Sequence, residues 1–145
     1  MKAVLQRALR ASVTVEGEVV GRLDRPGVVA LVGVGRDDTD EDAQKLARRI
    51  ATLRMLEGEV SVEDAAAPVL VVSQFTLQGR TRKGSRPSWS DAAPSGVAAP
   101  LIDLVISELR ERGIETQTGR FGAFMEVSLV NQGPFTLIID TRQQR

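Results

Sequence analysis

Two uninterrupted apolar runs constrain this chain more than any other feature. Val28-Val29-Ala30-Leu31-Val32-Gly33-Val34 and Val69-Leu70-Val71-Val72 are continuous and rich in β-branched residues. Such runs read as strands buried in a sheet. Two helical patterns accompany them. Ala43, Leu46, Ala47, Ile50 and Leu53 mark one face of a helix over about residues 40–54. Val97, Leu101, Leu104, Val105 and Leu109 mark a second over about 97–112, stopped by Gly113. Thr39 and Asp42 form a capping-box pattern before the first helix, whose acidic start and basic Arg48, Arg49 and Arg54 suit its dipole. The order of strands, helix, strands, helix, strands predicts an α+β fold, with mixed or antiparallel sheets packed against two main helices. The 145 residues suit a single domain, 1–145, with one core.

The remaining segments fit this scheme. Ala3 to Leu9 and Ala11 to Val15 read as strands, and Glu16-Gly17-Glu18 turns the chain into Val19 to Leu23. Leu56 to Val62 suggests a short hairpin, and Ile114 to Thr118 a short strand. Residues 78–96 form a long loop rich in Gly, Ser, Arg and Pro, and loops of that length in compact domains are often functional. Glu126 to Val130 and Phe135 to Asp140 are apolar strands either side of Asn131-Gln132-Gly133-Pro134. That bend reads as a hairpin turn, because Gly tolerates positive φ, Pro fixes φ and Asn favours turns. A second reading is a polar, uncharged bend that pushes its backbone into a pocket and works by shape. The tail, Thr141 to Arg145, is polar and expected to fray.

Composition removes several chemistries. There is no cysteine, so there is neither a disulfide framework nor a thiolate. There is no histidine, which removes the usual general base, the Ser-His-Asp arrangement and the commonest zinc ligand. No metal or other cofactor is expected. No apolar run approaches the roughly 18 to 20 residues of a membrane helix. Gln6, Arg7 and Arg10 interrupt any signal-peptide core, so the expectation is a cytoplasmic protein without membrane contact. The formal net charge of +0 leaves no global field to draw nucleic acid, so such contact needs a local patch.

Three groups of residues carry the candidate chemistry. Ser73, Gln74, Phe75 and Thr76 stand at the end of the Val69 strand. They read either as ordinary strand-end polar residues or as a site. A hydroxyl nucleophile needs an activating base, and none lies nearby in sequence. Backbone N–H groups and hydroxyls holding an oxyanion, with the substrate supplying the proton-transfer group, is the more economical arrangement. Arg80, Arg82, Lys83 and Arg86 place four cations in seven residues. Such a run is commonly a solvated loop, but it also suits RNA phosphates, with Trp89 as a stacking face or packing anchor. All four phenylalanines, Phe75, Phe121, Phe124 and Phe135, fall in or beside these segments. Core packing accounts for two of them; a small pocket with apolar walls explains the same placement.

Together these segments resemble the D-aminoacyl-tRNA deacylase (D-Tyr-tRNA deacylase) family. The resemblance rests on Ser73-Gln74-Phe75-Thr76-Leu77, Thr81-Arg82-Lys83-Gly84 with Arg86-Pro87-Ser88, Thr118-Gly119-Arg120-Phe121-Gly122-Ala123 with Met125, and Val127-Ser128-Leu129-Val130-Asn131 with Gly133-Pro134 and Thr136. Ala3-Val4 with Gln6-Arg7 and Ala11-Ser12-Val13 extend it over essentially the whole chain. The resemblance implies a homodimer acting on D-aminoacyl-tRNA. In it, Gly133-Pro134 matches a Gly-cisPro motif that enters the partner subunit's site and presents carbonyl oxygens to the aminoacyl Cα. An L side chain clashes there, whereas a D side chain or glycine does not. Met125 would line that pocket, with Asn131 and Thr136 in the same motif. Ser73, Gln74, Phe75 and Thr76 would hold the terminal adenosine and the scissile ester. Thr76 would be either the nucleophile or a positioning group for catalysis assisted by the adenosine 2′-hydroxyl; the lack of histidine favours the second.

Three departures from the family pattern stand out. Met55 to Pro68 is short, Phe124 occupies a position where Asp is common, and Gln78-Gly79-Arg80 replaces a frequent Tyr-Ala-Asp. The expected activity is hydrolysis of D-aminoacyl-tRNA, and of glycyl-tRNA mischarged on the alanine tRNA by the same steric logic. The alternatives are a non-catalytic tRNA-binding dimer using the Arg80 to Arg86 loop, and a small-molecule esterase with Thr76 as nucleophile.

Overall fold

The computed structural model describes residues 1–143. The chain runs β1 (Lys2–Val15), β2 (Glu18–Leu23), β3 (Gly27–Gly33), α1 (Asp40–Thr52), α2 (Val62–Ala65), β4 (Val69–Ser73), a 3-10 turn (Phe75–Gln78), α3 (Ser95–Glu111), β5 (Thr116–Thr118) and β6 (Glu126–Asp140). The six strands form one mixed sheet in the order β2-β1-β3-β4-β5, with β6 paired to β1. The pairs β3–β4 and β4–β5 are parallel; β1 is antiparallel to β2, β3 and β6. The two apolar runs of the sequence are therefore the parallel centre, and both are buried.

Helices cover one face of that centre. Ala43, Leu46, Ala47 and Ile50 of α1 and Leu101, Val105 and Leu109 of α3 pack on Leu5, Val28, Ala30, Val69 and Val71. Helix α1 begins where expected, with the Thr39 amide donating to Asp42 Oδ2 at 3.0 Å. Helix α3 begins two residues before the expected Val97 and ends before Gly113, whose φ is 79°. Each fully buried leucine or isoleucine here contributes about 1.5–3 kcal/mol. The other face is covered by the sheet folding over itself: Ala8, Ala11, Val13 and Leu23 pack on Val29, Leu70 and Val72.

Two expected breaks are continuous strands. β1 does not end near Arg10; it changes partner there. Lys2 to Ala8 pair with β3, and Ala11 to Val15 pair with β2. More consequentially, Gly133-Pro134 is not a hairpin turn. Both halves of β6 run antiparallel to the same strand, β1. Gln6 faces Thr136 and Ala8 faces Asn131, so residues 132–135 stand opposite Arg7 alone and bulge out of the sheet. The expected hairpin at Leu56 to Val62 shrinks to a single Leu56–Val60 bridge followed by α2.

The tail is also better held than expected. Thr141 is buried and its hydroxyl donates to Asp42 Oδ1 at 2.7 Å. Arg142 pairs with Asp38 at 3.0 Å and with Asp42 at 3.2 Å. Residues 144 and 145 lie outside the described residues. Burial alone would raise the Asp42 pKa; the Thr141 hydroxyl, the Thr39 amide, the Met1 amino group and Arg142 together hold it at about 2, against an ordinary 3.8. A carboxylate depressed in this way stabilises the fold above its unfolded pKa and loses that contribution as pH falls through the folded one. At about 1.4 kcal/mol per pKa unit, the contribution is at most about 2.5 kcal/mol. Asp42→Asn is expected to lower stability by about 1–2 kcal/mol at pH 7, and urea melts should show the gap to wild type narrowing between about pH 4 and pH 2.

Candidate active site

Parallel β4 ends at Ser73, beside Val32 of β3, and the chain then tightens into the 3-10 turn. Two contacts anchor that turn on β3. The Gln74 amide donates to the Val32 carbonyl at 2.7 Å, and the buried Gln78 side chain donates to the Gly33 carbonyl at 3.0 Å. The Phe75 and Thr76 amides, first in the turn, find no backbone acceptor among the described residues. Gln74 Nε2 donates to Thr76 Oγ1 at 2.5 Å. The Thr76 hydroxyl is thus held by an amide donor, and its hydrogen-bond partners among the described residues include no base. This arrangement suits positioning a polar group better than activating a nucleophile.

A cavity of about 610 Å³ opens beside this turn. Ser73, Gln74 and Phe75 line one side, Ala98 and Ile102 of α3 another, and Phe121, Phe124 and Met125 the rim. No carboxylate or cation lines it. The expected pocket with apolar walls is present, and Met125 is in it. Of the two phenylalanines expected to serve the core, only Phe135 packs against it; Phe75 is 58% exposed, Phe121 41% and Phe124 100%. Phe135 is half-buried and lies under a cation, with the Arg7 guanidinium 4.3 Å from its ring centroid. Thr76 is exposed and does not line the cavity wall.

Gly133, Pro134, Asn131 and Thr136 lie elsewhere in the same chain. Val127 of β6 lines the cavity; Gly133 is six residues further, about 20 Å along extended strand. The Gly133–Pro134 bond is cis. The bulge is stapled from beneath. Asn131 Nδ2 donates to the carbonyls of Arg7 at 2.9 Å and Phe135 at 3.2 Å, and Gln6 Nε2 donates to Thr136 Oγ1 at 3.1 Å. Nothing among the described residues demands glycine at 133: its φ is not positive, and a Cβ there would meet none of their atoms within 4 Å. Arg7 is a residue that the sequence reading left without a role. Its signal was present, since Ala3, Leu5 and Arg7 alternate on one strand face and the first two are buried. Arg7 is buried with them, and its Nε has no hydrogen-bond partner among the described residues.

The basic loop is only partly free. Arg80 donates to both carboxylate oxygens of Asp91, at 2.5 and 2.6 Å. The Arg80 hydrogen bond holds the Asp91 carboxyl below its ordinary value. Arg82, Lys83 and Arg86 are exposed and make no ion pair among the described residues.

Comparison with known proteins gives this geometry a family. The family model described as D-Tyr-tRNA(Tyr) deacylase matches residues 4–140. A D-aminoacyl-tRNA deacylase of Corynebacterium glutamicum is 57% identical, over 97% of this chain and 99% of its own length. One of Thermobifida fusca is 56% identical over the same shares. A solved structure titled c-Myc DNA Unwinding Element Binding Protein superposes with a TM-score of 0.89 at 36% identity, covering 97% of this chain and 98% of that one. A probable eukaryotic D-amino acid tRNA deacylase shares the fold at a TM-score of 0.84 and 18% identity. The match along almost the whole length, on a chain whose polar strand end opens into an uncharged cavity, places this protein in the D-Tyr-tRNA(Tyr) deacylase family.

Proposed function

We propose that this protein is a cytoplasmic hydrolase that cleaves the ester of D-aminoacyl-tRNA, releasing D-amino acid and free tRNA. The observation that carries the reading is the cavity at Ser73 to Phe75, with its apolar walls and no titratable group. The terminal adenosine and aminoacyl ester occupy it. The free Phe75 and Thr76 amides face the charge that develops on the carbonyl oxygen, and Gln74 and Thr76 orient the ester. With no histidine in the chain and no base on Thr76, the adenosine 2′-hydroxyl is the better proton-transfer group. Water attack then breaks the ester C–O bond, and the ribose 3′-oxygen leaves with a proton.

Selection for D substrates is assigned to Gly133-Pro134 of a second copy of the chain. Three features support this: the bulge projects from the sheet, it lies far from its own cavity, and Gly133 has no internal reason to be glycine. A rigid backbone wedge rejects an L side chain by clash and needs no side chain to recognise the amino acid. Glycyl-tRNA mischarged on the alanine tRNA passes the same filter. Arg82, Lys83 and Arg86, with Arg80 braced by Asp91, are assigned to tRNA phosphates.

Incubation with D-Tyr-tRNA and L-Tyr-tRNA should show release of D-tyrosine only; equal rates, or binding without turnover, would defeat the reading. Thr76→Ala is expected to keep most activity, and a substrate ending in 2′-deoxyadenosine to lose it; the reverse result makes Thr76 the nucleophile. Gly133→Ala should leave thermal stability within about 0.5 kcal/mol of wild type, because the added methyl meets nothing in its own chain. It should lower deacylation at least about tenfold by crowding the partner's site. Light scattering should report a dimer, and a stable, active monomer would remove the cross-subunit wedge.

A further inference from the structure

A second concavity lies beside the first. It has a volume of about 740 Å³ and is lined by Lys2, Gly79, Arg80, Thr81, Arg82, Lys83, Arg86 and Ser88. Five of these residues are cations in a chain of formal net charge +0. Trp89 links the groove to the cavity. Phe75, which lines the cavity, meets Trp89 edge to face with ring centroids 5.5 Å apart. Trp89 in turn lies on Gly79 of the groove, where a Cβ would come within 2.8 Å of the indole Cζ3. The indole is 44% exposed, so it stands as a ridge between an uncharged pocket and a basic trough.

The charges in the trough are graded. Asp91 already neutralises Arg80 and is further influenced by Lys2 and Arg36. Arg80 therefore braces the loop, which closes on itself through the Arg80–Ser88 bridge. Arg82, Lys83 and Arg86 remain to meet an anion, with Lys2 facing them from β1. An uncharged pocket, an aromatic ridge and a cationic trough in succession match a nucleoside, a base and a phosphate chain. A double-helical stem offers no exposed base face to a ridge of this kind, whereas a single strand does.

We propose that the trough binds the phosphodiester links just 5′ of the terminal adenosine, with Trp89 stacking the base before it. The protein thus grips the unpaired acceptor end of tRNA and not its helical stem. This rests on the assignment of the terminal adenosine to the Ser73–Phe75 cavity. It adds Lys2 and Trp89 to the binding surface and fixes the direction in which the strand enters.

The test compares three D-tyrosyl esters: of adenosine alone, of the cytidine-cytidine-adenosine trinucleotide, and of whole tRNA. For wild type, kcat/KM should rise roughly tenfold or more from the nucleoside to the trinucleotide, the range expected of one stacked base. It should change much less from trinucleotide to whole tRNA. The combined variant Arg82→Ala, Lys83→Ala, Arg86→Ala should lose the trinucleotide gain, so that its kcat/KM on the trinucleotide ester falls to within a few-fold of its own value on the adenosine ester. Its log–log salt slope should be shallower by about 0.7 for each single-strand phosphate contact removed. Trp89→Phe should retain part of the gain and Trp89→Leu little, with melting temperatures checked on both. The proposal is overturned if the triple variant matches wild type on the trinucleotide, or if its deficit appears only with whole tRNA. Failure of wild type to cleave any of the three esters would instead overturn the deacylase reading itself.

Discussion

Everything in this molecule is referred to the parallel pairing of β3 and β4. Val28 to Val32 lie beside Val69 to Ser73, and both strands are covered on two faces. Burial on both sides makes register unforgiving, because a one-residue slip would exchange the residues facing the helices with those facing the folded-over strands. The same pairing fixes where the chain emerges. Ser73 leaves the sheet beside Val32, and the next residue is tied to that strand's carbonyl. The 3-10 turn that follows Gln74 and carries Thr76 is therefore tied to β3 at both ends, although Phe75 and Thr76 are exposed.

The site built on this platform is unusual in what it lacks. Its cavity is lined by aliphatic, aromatic and small polar residues, without a titratable side chain. No side chain lining it can exchange a proton near neutral pH, so the polarity it offers is that of fixed dipoles. Charge is kept at a distance instead, in the trough beyond Trp89 and in the network of Asp38, Asp42, Thr141 and Arg142. The first is open at the surface; the second ties Thr141 and Arg142 to α1.

The bulge at 132–135 is where local and tertiary logic part. Asn-Gln-Gly-Pro has every property of a hairpin turn, and turn chemistry alone cannot distinguish a reversal from a protrusion. The distinction lies in the partner. β1 is long enough, 14 residues, to pair with both halves of β6, so the chain need not turn back. The register spends four residues opposite one, and the excess is pushed out of the sheet. Arg7, whose guanidinium lies over the Phe135 ring, and Asn131, bonded to two carbonyls, hold the protrusion in shape.

Much was legible without coordinates. The period of α1 and α3, the buried runs of β3 and β4 and the strand end at Ser73 follow from side-chain pattern, which is local. The absence of histidine and cysteine bounded the chemistry before any geometry. The motifs at Ser73–Leu77 and Val127–Thr136 indicated the family, and the match over residues 4–140 agrees. What tertiary structure alone decided is non-local. It made β6 one strand and not a hairpin, because pairing with β1 is a contact across more than a hundred residues. It left Phe75, Phe121 and Phe124 exposed and set only Phe135 partly against the core, because apolar character does not say which face of a loop is covered. It neutralised Arg80 through Asp91, eleven residues away, and set Trp89 between cavity and trough. The Gly133-Pro134 stretch shows the physical reason: residue type limits the conformations a backbone can take, but only its packing partners determine what that conformation faces.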